Sequence, residues 1–347
     1  MKLHFVGLPH TETTSEYVWC AYTSKLRHIG QVCKMIGIQT VLYGSSRDEG
    51  EFDEVVEVVT DSQRDEWFGH IDWNRSTFDG WDSNAVWWKT MNATTIKEIQ
   101  QRIEPQDAIC IIAGQCQEEI VNAFPNLGLE WAIGYEGVLP NTHKCFESQT
   151  WRSYVYGKYG INDGKFFDCV IPNFFDPKDF EIRDKEDYFL YLGRMTSRKG
   201  LDIVAEIAKK HKVYSAGQGD ERIPGVAHVG VVRGKEKTLL LSGAKALICP
   251  TIYIEPFGGV AVEAMLSGTP VISTDFGAFV ETVDEQSGFR CRNLKEFLIA
   301  ADRVGEFDPY YIQNRAQRLF SLEAVAPQWD RWFSQVETLY HEGWYER

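Results

Sequence analysis

Short apolar runs recur through the first half of the chain at 2–7, 39–43, 54–59, 107–113, 131–134 and 168–171, each with the length of a buried strand. Between them apolar residues return at three- and four-residue intervals near 15–36 and 92–103, the spacing of a helix with one buried face. Strand, helix, strand is the rhythm of a parallel sheet wrapped by helices. Around Asp176-Pro177-Lys178-Asp179 and Arg183-Asp184-Lys185-Glu186-Asp187 the chain turns charged and proline-broken, and Tyr188-Phe189-Leu190-Tyr191-Leu192-Gly193 then restarts the rhythm. Further strands are predicted near 212–216, 226–229, 245–249, 270–273 and 288–291. From Ser321 to Tyr340, the residues Leu322, Val325, Trp329, Trp332, Phe333, Val336 and Tyr340 fall at helical spacing. The pattern predicts an α/β protein with two doubly wound, Rossmann-like domains at 1–180 and 181–320, followed by a helix within 321–347.

Composition narrows the function. A chain of 347 residues with 44% hydrophobic content has ordinary globular make-up and room for two domains. Fifty acidic against 36 basic residues leave a net charge of -14, which disfavours wrapping a nucleic acid, so any phosphate site must be a local basic pocket. No apolar stretch nears the ~18 residues of a membrane span, and the first residues lack the regions of a signal peptide. The expectation is a soluble, cytoplasmic protein without an integral membrane segment. Eight cysteines lie far apart with no C-x-x-C pair, several inside apolar runs, which reads as reduced core thiols and supports neither a disulfide framework nor a zinc site.

Three segments carry chemistry. Gly193-Arg194-Met195-Thr196-Ser197-Arg198-Lys199-Gly200 puts three cations between a strand and a helix. Positive side chains at a helix N-terminus oppose the helix dipole, so the segment is either a solvated basic turn or an anion site, with Arg194 able to fork two oxygens and Lys199 a point charge. In Glu255-Pro256-Phe257-Gly258-Gly259-Val260-Ala261-Val262-Glu263, two glycines open a helix and Glu263 falls among apolar neighbours. A buried carboxylate needs partners; a ligand diol would serve, and so would an internal Arg or Ser. Val213-Tyr214-Ser215-Ala216-Gly217-Gln218-Gly219 runs a strand into a Gly-x-Gly turn, but Arg222 stands where a dinucleotide fingerprint has its third glycine. No Walker A loop occurs, and no Asp-x-Asp metal motif stands at a strand end.

Taken together, these residues resemble the retaining glycosyltransferases of family 4, whose architecture is called GT-B: two Rossmann-like domains facing across a cleft. The resemblance is strongest from Ile171 to Phe289 and rests on Ile171-Pro172-Asn173-Phe174-Phe175-Asp176, Gly193-Arg194 with Lys199-Gly200, Gly217-x-Gly219, Val229-Gly230 and the pair Glu255 and Glu263. It implies that Arg194 and Lys199 grip the diphosphate of a nucleotide sugar, that amides at Phe257, Gly258 and Gly259 face the phosphates or the sugar, and that Gly217 lines the same donor site. It further implies that Glu255 contacts the donor sugar, Glu263 accepts both ribose hydroxyls, Val232 meets the base through its backbone, and Lys237 stands near the nucleotide. The C-terminal helix is expected to return to the first domain. The overall texture also resembles glycosyltransferases encoded by large algal viruses.

The first half departs from the family pattern. A Gly-Gly loop usually follows the first strand, whereas Gly7-Leu8-Pro9-His10-Thr11-Glu12-Thr13-Thr14-Ser15 stands here, and Thr14 and Ser15 read as caps for the next helix. Where the family often has a histidine, this chain offers Tyr135 and Glu136, and Glu136 is the acceptor-side candidate. Glu66–Thr90 holds Trp67, Trp73, Trp81, Trp87 and Trp88, either a sugar-stacking surface or a long loop anchored by large side chains. The resemblance implies transfer of a hexosyl group, from UDP-glucose first and GDP-mannose second, to a carbohydrate or glycoprotein acceptor with retention and no required cofactor. A nucleotide-sugar epimerase and a catalytically inactive nucleotide-sugar-binding protein are the alternatives.

Overall fold

The structure is a computed structural model and describes residues 1–17 and 19–342. The first domain alternates β1 (Leu3–Val6), α1 (Ala21–Met35), β2 (Thr40–Gly44), β3 (Glu54–Glu57), α2 (Asp61–Phe68), α3 (Val86–Gln100), β4 (Ala108–Ile111), α4 (Glu118–Asn122), β5 (Leu127–Ile133), β6 (His143–Phe146), α5 (Gln149–Lys158) and β7 (Cys169–Val170). The second runs β8 (Phe189–Leu192), α6 (Leu201–Ala208), β9 (Val213–Ala216), β10 (Ala227–His228), α7 (Gly234–Gly243), β11 (Leu247–Cys249), α8 (Gly259–Leu266), β12 (Val271–Thr274), α9 (Phe279–Thr282), β13 (Gly288–Cys291), α10 (Leu294–Arg303) and α11 (Pro309–Phe320). Then α12 spans Leu322–Glu342; residues 343–347 and the side chain of Tyr340 lie outside the described residues.

All strands pair in parallel. The two sheets have orders β3-β2-β1-β4-β5-β6-β7 and β10-β9-β8-β11-β12-β13. In each, the direction of winding reverses once, between β1 and β4 and between β8 and β11, and the strand exits at these switch points are where such sheets take ligands. Parallel sheets are covered on both faces, which explains the unbroken apolar runs. In the second sheet, Tyr188, Leu190, Leu247, Cys249 and Val271 pack on the α8 side, while Phe189, Tyr191, Ile248 and Ile272 pack with α6 and α10.

Several elements differ from the sequence expectation. Strand β5 begins four residues early, because Glu130 interrupts the apolar pattern although it is fully buried and its Oε1 accepts the Leu139 amide at 2.6 Å. Polar His143 and Lys144 hid β6; the Lys144 ammonium is satisfied by the Thr142 carbonyl at 2.8 Å. Thr14 and Ser15 do not cap α1. Its N-cap is Cys20, and the Ser15 hydroxyl donates to Glu49. The tryptophan-rich stretch is no single loop: Trp67 lies on α2, Trp87 and Trp88 lie on α3, and irregular chain carries only Trp73 and Trp81. All eight cysteines are free, seven of them buried. Among the described residues no helix is long and apolar enough to cross a membrane.

The chain crosses between domains twice, and the crossings lie side by side. The Phe175 amide donates to the Phe320 carbonyl at 2.9 Å and the Leu322 amide to the Phe175 carbonyl at 3.1 Å. After the second crossing α12 lays Val325, Trp329, Phe333 and Val336 into the core of the first sheet, where Trp329 meets Trp131 and Phe174 edge-on. Truncating the fully buried Trp329 to Ala is expected to cost about 3–5 kcal/mol. Urea unfolding with near-UV circular dichroism would measure that loss, and a change under about 1 kcal/mol would show that α12 is dispensable for this core.

Candidate active site

Three strand exits of the second domain meet backbone to backbone. Gly217, leaving β9 at φ +138°, lies so close to Gly193, leaving β8, that a Cβ would stand 1.9 Å from the Gly193 carbonyl oxygen. Gly200, at φ +75°, would put a Cβ 2.0 Å from the carbonyl oxygen of Pro250 beyond β11. Only glycine fits either place. Hydrogen bonds lock the same loops, from the Met195 amide to Gln218 O at 2.7 Å and from the Ile252 amide to Arg198 O at 3.0 Å. The basic segment and the Glu255 segment are thereby held on either side of the switch point.

Each carboxylate of the Glu255 and Glu263 pair is held by a lysine. Lys199 Nζ lies 2.6 Å from Glu255 Oε2, with the side chains only 16% and 13% exposed. Lys237 Nζ, from α7, lies 2.6 Å from Glu263 Oε1 on α8. The internal partner of Glu263 is therefore a lysine, whereas the sequence left a ligand diol or an internal Arg or Ser as its partner. Burial works against the Lys199 ammonium, yet Glu255 and Tyr253 beside it leave its pKa raised. The Tyr253 ring has Arg198 at 4.8 Å and Lys199 at 4.9 Å from its centroid. It is a site residue the sequence reading missed, since an aromatic two positions before Glu255 carries no signal by itself.

Gly258, at φ +79°, caps α8 in the left-handed region and leads it out of the Glu255 turn. The amides of Gly258, Gly259 and Val260 have no hydrogen-bond acceptor among the described residues. They border a cavity of about 90 Å³ whose wall also includes Lys199, Glu255, Thr251 and Tyr191. Free first-turn amides beside an ammonium make an anion-binding arrangement. Phe257 is buried and sits against Phe320, so only its backbone faces the turn. Arg194 is exposed, with its carbonyl accepting the Tyr191 hydroxyl at 2.6 Å. Val232 is buried just before α7, the helix that carries Lys237.

The first domain presents its own switch point. Buried Gln117 ties the β1 and β4 exits together, donating to Gly7 O at 2.7 Å and accepting the amides of Ile112 and Ala113 at 2.9 and 3.0 Å. Past β1, His10 is stacked on Phe78 at 3.6 Å and ringed by Trp19, Phe68, Trp73 and Trp81, with neither ring nitrogen hydrogen-bonded. The tryptophan-rich stretch is thus anchored by large side chains around His10. Glu12, buried, pairs with Arg64 and Arg47. Glu136 is exposed and bonded within its own domain, to Lys158 and to the Tyr154 hydroxyl at 2.7 Å, while the charge of Arg198 reaches it from the other domain.

The domains touch at both ends of the cleft. Ser148 donates to Pro256 O at 2.6 Å, and the Glu281 carboxylate accepts the Gln149 and Thr150 amides at 2.9 and 2.6 Å. At the other end Gln218 donates to Trp73 O at 2.5 Å, and Arg75 pairs with Asp220 at 2.8 Å.

This is the GT-B fold, and comparison with known proteins agrees. Residues 186–306 match the family model described as Glycosyl transferases group 1. An uncharacterized glycosyltransferase of Methanocaldococcus jannaschii is 33% identical over 123 residues, 30% of this chain and 31% of that protein. The chain spans about a third of the length of the curated relatives it matches. Among solved structures, AviGT4, a glycosyltransferase involved in avilamycin A biosynthesis, superposes with a TM-score of 0.70 at 18% identity over 97% of this chain and 98% of its own. HepE of Anabaena in complex with UDP and glucose does so at 0.67 and 14%, covering 96% and 99%.

Burial pushes His10 down to about 3 and His28 down to about 4. In the unfolded chain both take up a proton near pH 6.5, so the unfolded state gains protons first as pH falls. Stability from these groups is complete above about pH 6.5 and is lost as pH falls from there to about 4 for His28 and about 3 for His10. The unfolding free energy should fall across that window, and His10→Phe should flatten the slope. A His10 imidazole NMR signal titrating near pH 6.5 would contradict the buried, neutral assignment.

Proposed function

We propose that the protein is a retaining glycosyltransferase that moves a hexosyl group from a nucleoside diphosphate sugar, UDP-glucose in the first place and GDP-mannose in the second, to a carbohydrate hydroxyl. The observation that carries this reading is the Lys199–Glu255 pair beside the free amides that open α8, at the switch point of the domain that matches the glycosyltransferase model. An ammonium and unpaired amides suit a diphosphate, and the neighbouring carboxylate suits sugar hydroxyls.

Each residue then has a role that its placement supports. Lys199 and the amides of Phe257, Gly258 and Gly259 hold the diphosphate, and exposed Arg194 closes on it from the β8 exit. Glu255 accepts hydroxyls of the transferred sugar while Lys199 holds its other side in an ion pair. Glu263 accepts the ribose diol, with Lys237 balancing its charge, and the Val232 backbone meets the base. Gly217 leaves the room that this loop packing requires. Glu136 stands on the acceptor side.

Retention follows from attack on the face that the diphosphate leaves. The leaving oxygen takes the acceptor proton, the glycosidic bond forms as the bond to the diphosphate breaks, and Arg194 and Lys199 stabilise the charge that grows there. A covalent route would need a carboxylate nucleophile ~5 Å from its acid partner on the opposite face, and no residue of this site is assigned that part. The cations supply the charge that a metal ion would otherwise bring.

Calorimetric titration with UDP, UDP-glucose, GDP and GDP-mannose tests the donor site. One nucleotide pair should bind, and Arg194→Ala or Glu263→Gln should weaken it about 10- to 100-fold, the loss of charge-assisted hydrogen bonds. Binding by none of the four would refute the reading. Turnover should persist in excess EDTA; abolition by the chelator would remove the two-cation account. A product isomeric with the donor, without release of free nucleotide, would identify an epimerase instead.

A further inference from the structure

Two unusual features meet where the first domain faces the Glu255 turn. Lys25 on α1 and Glu147 just beyond β6 form a contact ion pair whose side chains are 9% and 4% exposed. Burying both charges is repaid only when the remaining protons and lone pairs are also bonded. Lys25 Nζ donates to Glu147 Oε1 and to Ala132 O, the latter at 3.2 Å, which leaves its third proton and Glu147 Oε2 without a protein partner among the described residues, Oε2 being open to solvent. Burial pulls the Lys25 ammonium below its ordinary range.

The second feature is Ala132, whose carbonyl Lys25 takes. It holds φ at +49°, in the left-handed region that a residue with a Cβ avoids, where the β5–β6 register slips between Glu130 and Ile133. Beside it Gly134 leaves room for the Glu147 carboxylate, since a Cβ there would lie 2.6 Å from Oε1. A left-handed residue with a Cβ beside a buried ion pair is the kind of feature that clusters at ligand sites. An apolar pair of the same volume would hold α1 against the sheet at least as well.

The location supplies the ligand. Ser148, next to Glu147, donates to the carbonyl of Pro256, between Glu255 and Phe257. The Tyr22 ring lies 4.6 Å from Lys25 Nζ; burial raises its hydroxyl pKa, and Arg194 of the other domain acts on it in the opposite direction. The pair therefore faces the loops given to the donor.

We propose that Lys25 and Glu147 receive two hydroxyls of one sugar ring, the free ammonium proton donating to one and Oε2 accepting from its neighbour. A donor and an acceptor side by side match a diol, and a pair of zero net charge matches a neutral sugar rather than a sugar phosphate. The inference rests on the glycosyltransferase reading. The hydroxyls belong either to the hexosyl group being transferred or to the acceptor.

Calorimetry separates these sources. Glu147→Gln, Glu147→Asp and the double variant Lys25→Met/Glu147→Leu, which removes both charges and keeps the volume, are titrated beside the wild type. The ligands are UDP, UDP-glucose, GDP, GDP-mannose and, with the bound nucleotide present, methyl α-glucoside and methyl α-mannoside. Nucleotide affinity should be unchanged in every variant. A fall of about tenfold or more in the affinity gained from the donor's sugar assigns the pair to the transferred hexose, and an equal fall in glycoside affinity assigns it to the acceptor. In either case Glu147→Asp should recover part of the loss.

The inference is overturned if the well-folded double variant keeps both quantities within about twofold of the wild type, or if the wild type shows neither a sugar-dependent gain nor glycoside binding. A purely structural pair would lower the melting temperature and move neither quantity. A wild type that binds no nucleotide would instead refute the glycosyltransferase reading itself.

Discussion

Pairing two carboxylates beside a helix that is otherwise apolar is the constraint around which the second domain is arranged. Glu255 and Glu263 flank the start of α8, where Ala261, Val262, Ala264, Met265 and Leu266 are buried, and each is matched by a lysine from a different loop or helix at 2.6 Å. For Lys199 to reach Glu255, the β8 and β11 exits must pass within backbone contact, which is why Gly200 lies against Pro250. For Lys237 to reach Glu263, α7 must lie along α8. The left-handed turn at Gly258 then leaves the first amides of α8 open to the cavity beside Lys199. Charge neutralisation, loop approach and an anion-accepting helix start are thus one arrangement.

The joint between the domains follows from a similar economy. Both crossings share one short parallel bridge at Phe175 and Ser321, so the covalent connections lie together on one side of the molecule. Among the described residues, the hydrogen bonds and ion pairs across the cleft, such as Ser148 to Pro256 O and Gln218 to Trp73 O, join polar groups. Exposed pairs such as Arg75–Asp220 contribute little to holding the domains together. The docking of α12 into the first core is the strong link, because it buries aromatic side chains rather than pairing surface charges.

Much of this was legible along the chain. Alternation of apolar runs with helical spacing identified both sheets, because strands covered on two faces must be apolar throughout. Glu263, Lys199 and Arg194 stood out because charge at those places is unfavourable without a partner, and Glu255 as the carboxylate eight residues before Glu263. What escaped notice were elements whose polar residues find partners only after folding. Glu130 and Lys144 obscured β5 and β6, and the helix start at Ala21 lies beyond Thr14 and Ser15, whose local chemistry suggested an earlier cap.

By itself the sequence determined the fold class, the charged segments at the strand exits of the second domain, and the need of Glu263 for a partner, since these follow from periodicity and from the cost of burying charge. Tertiary structure alone decided which lysine serves which carboxylate, that Tyr253 stands beside two cations, that His10 sits unbonded in an aromatic ring of five side chains, and that Lys25 meets Glu147 across 122 positions of chain. Pattern along a chain reports which face a residue turns inward. The identity of the neighbour on that face depends on the order in which the strands pair, a long-range choice that local spacing does not encode.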